Sequence, residues 1–281
     1  MPDEKKFRVT ASALFLRSEP VVDRETRIAL LPNGQVATKL GEADDPSWWR
    51  VSTNHDGQEI EGYVAHRYLA PLTPPGVKGI DVSYHQGAID WSRVAATDVS
   101  FAFIRATYGV SQDKRIDENW RAARETGLLC GAYHFFRNGK DPQAQADAFL
   151  NAFASGGYGA GDLPPVIDVE ENLRYDPPLT DIAAYIAGVA LWIGAVKKAL
   201  GKTPIIYTLD SYWRELGNPD GFSQNPLWNV DLSPGHITLP NGWSDYTFLQ
   251  YSFTGDVDGI DTKVDMDEFN GSLDDLKALA G

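Results

Sequence analysis

The sequence has a single cysteine, two methionines and five histidines, and each scarcity closes off a class of chemistry. One thiol, Cys130, cannot form a disulfide within the chain, so no cystine framework is available and the cysteine count assigns no redox compartment. Cys130 sits in the apolar run Gly127-Leu-Leu-Cys-Gly-Ala-Tyr and is expected to be a buried small hydrophobe rather than a nucleophile. The histidines are scattered without His-x-x-x-His spacing, so no zinc site is expected, nor any other metal or cofactor. Ser83 lacks a Gly-x-Ser-x-Gly setting, and no Gly-rich loop leads into a helix, which argues against a serine triad and against nucleotide binding. Positive charge is scarce too. The net charge of -14 excludes the basic surface that nucleic acid requires and argues against electrostatic capture by anionic membranes. No segment is expected to reach the roughly 18 apolar residues of a membrane span. The first residues, Met1-Pro-Asp-Glu-Lys-Lys-Phe, lack the apolar stretch of a signal peptide, leaving another export route or a removed leader open.

What is present is globular composition: 281 residues, 43% hydrophobic and 23% charged, enough for a barrel of about 250 residues or two ordinary domains. Eight Trp and 12 Tyr supply flat apolar faces with polar edges, which serve core packing and carbohydrate sites alike. No internal repeat or low-complexity segment stands out.

Residues 1–72 read as short strands separated by turns. Phe7-Arg-Val-Thr, Ile28-Ala-Leu-Leu, Gln35-Val-Ala-Thr-Lys-Leu, Trp49-Arg-Val-Ser and Gly62-Tyr-Val-Ala are of strand length, with turn signals at Pro32-Asn-Gly34, Asp45-Pro46 and Asp56-Gly57. A small all-β barrel is expected, followed by a Pro-rich linker over residues 73–78. The first segment carries a net charge of -2 and the remainder -12.

From residue 79 apolar runs alternate with helical patterns. The runs begin near Gly79, Phe101, Leu128, Pro165, Pro204, Leu227, Tyr246 and Lys263, with helices expected over Ile116–Thr126, Pro142–Ala154 and Thr180–Leu200. Eight strands in such alternation predict an irregular α/β fold, a (β/α) TIM-like barrel with fewer helices in its last third. Chemistry in that fold sits at the C-terminal ends of the strands. Three expected strands end in acids: Lys78-Gly-Ile-Asp81, Val166-Ile-Asp168-Val-Glu170 and Val264-Asp265-Met-Asp267. Asp168 and Glu170, two residues apart, share a face while Val169 packs outward. Mutual repulsion and lost solvation raise at least one of their pKa values, giving a proton donor near neutral pH. Glycosidic cleavage needs an acid for the leaving oxygen and a second group beside the oxocarbenium-like centre. His134, in Ala132-Tyr-His-Phe-Phe136, reads equally as a substrate contact or a structural histidine.

The first segment resembles a bacterial SH3 module through Val9-Thr-Ala, Leu14-Phe-Leu-Arg-Ser-Glu-Pro20, Leu31-Pro-Asn-Gly34, Trp48-Trp49-Arg-Val51 and Gly62-Tyr-Val64. That resemblance implies adhesion to peptidoglycan or its cross-bridge peptides. The second resembles glycoside hydrolase family 25, the N,O-diacetylmuramidase type of lysozyme. Its matching stretches include Gly79-Ile-Asp-Val-Ser-Tyr-His-Gln-Gly87, Phe103-Ile-Arg-Ala-Thr-Tyr-Gly109, Val166-Ile-Asp-Val-Glu170, Pro204-Ile-Ile-Tyr207, Leu249-Gln-Tyr251 and Val264-Asp-Met-Asp-Glu-Phe269, in the family's order.

The family 25 resemblance implies a muramidase acting on bacterial peptidoglycan outside the cytoplasm, with no nucleic-acid or membrane partner, and the chain is expected to be monomeric. It implies Glu170 as general acid/base and Asp168 as the group that orients the substrate's 2-acetamido group. Asp81 and Asp265 would be supporting acids, and Tyr133, Tyr207 and Tyr251 substrate contacts. Two departures are Tyr108, where the family often has Glu, and Arg105 in place of Lys. A chitinase-like glycosidase also carries an Asp-x-Glu strand but adds an Asp where this chain has Val166. A catalytically silent wall-binding protein is the alternative from another class.

Overall fold

The computed structural model describes residues 6–55, 57–71, 76–153, 157–172, 174–232 and 237–281. Two compact units divide at Pro75/Gly76.

The first unit is a curled sheet of seven strands: β1 (Lys6–Val9), β2 (Ala13–Arg17), β3 (Arg27–Pro32), β4 (Val36–Glu42), β5 (Trp48–His55), β6 (Gln58–Ala65) and β7 (Leu69–Pro71). The two strands beyond the expected five are β2 and β7. The three-residue β7 becomes a strand only by pairing with β1, a long-range contact that composition cannot reveal. Val9, Leu14, Leu16, Leu31, Ala37, Val51 and Val64 form the core, each full burial of a branched chain contributing about 1.5–3 kcal/mol. Of the expected linker, residues 73–75 lie outside the described residues, while Val77 and Lys78 already belong to the next strand.

The second unit is a closed barrel of β8 (Val77–Val82), β9 (Phe101–Tyr108), β11 (Leu129–Phe135), β12 (Val166–Asp168), β13 (Ile205–Thr208), β14 (Leu227–Val230), β15 (Phe248–Gly255) and β16 (Val264–Phe269). The short β10 (Ser111–Gln112) hooks back onto β9. Pairing is parallel from β8 through β15. It is antiparallel where β16 meets β15 and β8. The expected (β/α) barrel is present, with one correction: its final strand runs backwards. A hairpin-like return needs no helix to carry the chain across the barrel, which accounts for the step from β15 to β16; the parallel step from β14 to β15 also has no helix among the described residues.

Strand alternation divides the side chains into two apolar populations. Ile80, Val82, Ile104, Ile167, Val169 and Ile206 face the helices. Phe101, Phe103, Val166, Ile205, Phe248 and Phe269 fill the barrel. Gly79 and Gly131 make room for this aromatic plug, since a Cβ at either would stand 2.3 Å from the ring of Phe101 or Phe103. With the lower interior filled by rings, polar groups can occupy only the end to which the parallel strands point.

The covering helices are α1 (Trp91–Ala95), α2 (Ile116–Glu125), α3 (Pro142–Ala152), α4 (Ile182–Leu200), α5 (Asp210–Glu215) and α6 (Leu273–Ala280). Helix α4 starts where Asp181 accepts the Ala184 amide (2.9 Å) and stops at Gly201, with φ of 71°. With 19 residues and a mean hydropathy of 1.4, α4 has the length and composition of a membrane span, contrary to expectation. Its buried residues Tyr185, Gly188, Val189, Trp192, Ile193 and Val196 recur at helical spacing, the pattern of a helix laid against a core.

Candidate active site

Asp168 ends β12, fully inside the barrel wall, and the strand conformation continues one step beyond it. The Val169 amide donates to the Tyr207 carbonyl (2.9 Å), the Thr208 hydroxyl to the Val169 carbonyl (2.8 Å) and the Phe136 amide to the Asp168 carbonyl (3.0 Å). Both neighbouring strands therefore clamp the backbone. Val169 is turned into the helix-facing core at 0% exposure, and Asp168 and Glu170 are left facing the same cavity. That cavity, about 200 Å³, is also lined by Asp81, Asp265, Tyr133, Tyr207, Arg105, Gln250 and Trp228. It is smaller than most drug-sized ligand pockets.

Each expected acid reaches the cavity, though not all by the expected route. Asp265 lies at the start of β16, not at a strand's end. Because β16 is antiparallel, its first residues arrive at the catalytic end, and Asp265 stands opposite Asp81 in the pairing. Tyr133 and Tyr207 line the cavity. Tyr251 does not. Its neighbour Gln250 takes the inward position, and the Tyr251 phenol is raised by burial, with Lys78 opposing and Asp267 and Glu268 adding to the effect.

A hydrogen-bonded chain fixes the floor. The Tyr207 hydroxyl donates to Gln250 Oε1 (2.7 Å), and Gln250 Nε2 donates to Asp81 Oδ2 (2.6 Å). Trp228 Nε1 donates to Asp267 Oδ1 (2.9 Å), and Trp228 stacks on Phe103 of the plug. Gln250 and Trp228 were not singled out from sequence, whereas Asp267 was among the strand-ending acids but without an assigned role. Alternation along β16, which puts Asp265, Asp267 and Phe269 on one face, carried a signal for Asp267.

Burial dominates the electrostatics. It raises Asp168, with the charges of Glu170 and Asp81 adding to the effect and Arg105 opposing it. It raises Glu170 to about 7, helped by Asp265, and Asp265 to about 6. Asp81 and Asp267, fully enclosed and facing one another, are also pushed up. Arg105 is the guanidinium in this acidic well. It is held by Asp113 (2.9 Å), both side chains nearly buried, and Asp113 also accepts the backbone amides of Tyr84 and Arg115. Tyr108 takes a hydrogen bond from Asn172 and lies against Arg137, outside the cavity lining. The arrangement offers a half-protonated acid near neutral pH beside a buried carboxyl whose Oδ1 has no partner among the described residues.

His134 is structural. Its ring is fully buried on the helix side, bonded through Nδ1 to Thr107 Oγ1 (2.7 Å) and stacked on Trp192, and burial lowers its pKa to about 3. Cys130 is buried with its thiol raised to about 12, hence inert.

Residues 12–70 match the bacterial SH3 domain family. Lysozyme M1 of Streptomyces globisporus is 37% identical over 76% of this chain and 74% of its own. A crystal structure of the bacterial lysozyme from Streptomyces coelicolor superposes with a TM-score of 0.67 at 36% identity, covering 74% of this chain and 98% of that one. A muramidase from Trichobolus zukalii superposes with a TM-score of 0.65 at 30% identity, covering 73% and 98%. Residues 80–260 match the model of glycosyl hydrolases family 25, and the chain, an enzyme of the glycoside hydrolase class with an N-terminal bacterial SH3 domain, belongs to that family.

Proposed function

We propose that the chain is a muramidase that hydrolyses the β-1,4 bond between N-acetylmuramic acid and N-acetylglucosamine in peptidoglycan. The observation that carries this reading is Glu170, held near a pKa of about 7 beside the buried Asp168. A general acid is most effective when its pKa lies near the working pH. Glu170 protonates the leaving oxygen and then deprotonates the incoming water. Asp168, with one oxygen unpartnered, accepts the N–H of the substrate's 2-acetamido group and directs the acetamido oxygen onto the anomeric carbon. The configuration is retained, as in other substrate-assisted glycosidases. Asp81 and Asp265 supply negative potential around the developing cation, and Tyr133 and Tyr207 contact the sugar.

The chitinase alternative would require a third acid at position 166. Val166 is instead fully buried among Tyr133 and Ile205. The SH3 unit serves as an adhesion module for the wall, and the enzyme works outside the cytoplasm as a monomer. Mass spectrometry of digested peptidoglycan tests the assignment. N-acetylmuramic acid at every new reducing end is the expected result, and N-acetylglucosamine there would refute it.

A further inference from the structure

The SH3 unit holds a cavity of about 560 Å³, larger than the catalytic one and within the range of ligand sites. Much of its wall is apolar and small, from Ala11, Ala13, Leu14, Trp48 and Ala65. Arg17, His66 and Arg67 also line it, and among the described residues no Asp or Glu does. That is a local reversal of sign in a chain with 39 acids against 25 Lys and Arg.

Arg17 is 6% exposed. Leu14 and Leu16 point into the core of the unit, so Phe15 and Arg17 share the opposite face of β2. There the chain after β2 returns to meet the guanidinium, whose Nη1 donates to the Asp23 carbonyl and to Thr26 Oγ1 (3.2 Å). Both acceptors are neutral. Among the described residues Nε and Nη2 donate to nothing, and no carboxylate pairs with Arg17. On the open surface of the same unit Lys39 is paired with Glu42 (2.8 Å) and Arg50 with Glu61 (2.6 Å). The buried cation is thus left without a counter-charge while exposed ones have theirs.

A buried charge is costly unless an opposite charge and further hydrogen bonds offset it. The guest that completes this cavity is therefore an anion, and a planar carboxylate matches the guanidinium fork. Arg67, exposed and lying over the Tyr68 ring (4.8 Å to its centre), adds positive potential from the rim. The small apolar wall beside these cations asks for methyl-sized groups next to the carboxylate. A wall peptide ending in D-alanine carries a methyl and a carboxylate on one carbon. A phosphate polymer would instead call for a row of exposed cations along its length.

We propose that this cavity captures the C-terminal carboxylate of the peptidoglycan stem peptide, with Arg17 and Arg67 receiving the carboxylate and the alanine methyls lying on Ala11, Ala13 and Trp48. The proposal rests on the adhesion reading of the SH3 unit and is independent of the chemistry at Glu170.

The test titrates the full chain with L-Ala-γ-D-Glu-L-Lys-D-Ala-D-Ala, with the C-terminal amide of that peptide, and with poly(glycerol phosphate). The free acid is expected to bind about tenfold more tightly than the amide, the scale of one charge-assisted interaction. Arg17→Lys, which keeps the charge and loses the fork, and Arg67→Gln should each weaken the free acid and leave the amide unchanged. Arg67 is exposed, so its variant reads the cavity even if Arg17→Lys disturbs the fold. Equal binding of acid and amide, or a wild-type preference for the acid in Arg67→Gln, would overturn the proposal. Tighter binding of poly(glycerol phosphate) than of the peptide would overturn it too, in favour of a phosphate polymer. Sedimentation with intact walls, in a Glu170→Gln chain that leaves them undigested, separates this proposal from the adhesion reading. Retention on native walls and loss on walls with amidated carboxylates is expected, whereas general electrostatics on a chain of net charge -14 acts in the opposite direction. Equal retention on both counts against the cavity and leaves adhesion standing. Retention on neither sinks adhesion, and the titration then decides the cavity alone.

Discussion

Asp265 faces Asp81 across the pairing of β16 with β8, and this places a second negative charge within reach of Glu170. Glu170 owes its raised pKa first to burial and then to Asp265. Asp265→Asn removes the charge and leaves the burial. The basic limb of kcat/KM against pH, which reports deprotonation of the acid in the free enzyme, should therefore move to lower pH. An unshifted limb would detach Asp265 from the proton donor.

Glu170→Gln should lower kcat on wall substrate by about 10²-fold or more, the scale of lost general acid–base catalysis. Asp168→Asn should also lower kcat while leaving the melting temperature at or above that of the wild type, because a buried acid is exchanged for a neutral amide. Clearing of wall suspensions at the wild-type rate by either variant would remove that residue from the mechanism.

The acidic well makes stability fall with rising pH. Glu170 at about 7 and Asp265 at about 6 hold protons more tightly folded than unfolded, where carboxyls titrate near ~4. Their contribution is fully present below the unfolded value and disappears as pH rises through about 6 and then about 7. The melting temperature should decline between about pH 4 and pH 7 and level off above that, and the double variant Glu170→Gln/Asp265→Asn should flatten the decline. Parallel curves for the two proteins would show that these acids are not strained in the fold.

Arg105 is expected to be structural as well as electrostatic. Arg105→Met strands Asp113 at 1% side-chain exposure, and leaving one partner of a buried pair costs about 3–5 kcal/mol. Arg105→Lys keeps the charge and should cost less. Urea denaturation measures both, and a loss under about 1 kcal/mol for Arg105→Met would mean that water reaches Asp113.

Local pattern revealed much of this molecule. The β12 acids were legible because alternation in a strand is rigid: Val169 must pack outward if Asp168 and Glu170 face inward. Helix α4 was legible from its Asp181 cap and Gly201 stop. The direction of β16 was not, since Val264–Phe269 has the same composition whichever way it runs, and only its partners decide. Gln250 and Tyr251 show the same limit. A register of one residue decides which enters the site, and the pairing with β16 shifts between Gln250 and Ser252. Gly79 and Gly131 carried no chemical signal, yet without them the Phe101 and Phe103 rings could not fill the barrel below the acids.

Strand β16 is also the last strand of the barrel to be made. On the ribosome, a chain that has emerged only as far as β15 already holds Asp168 and Glu170. It still lacks Asp265 and Asp267, and β8 has an open edge where β16 will lie. Because domains complete their packing as synthesis proceeds from the N-terminus, closure of the barrel and assembly of the acidic well are one late event.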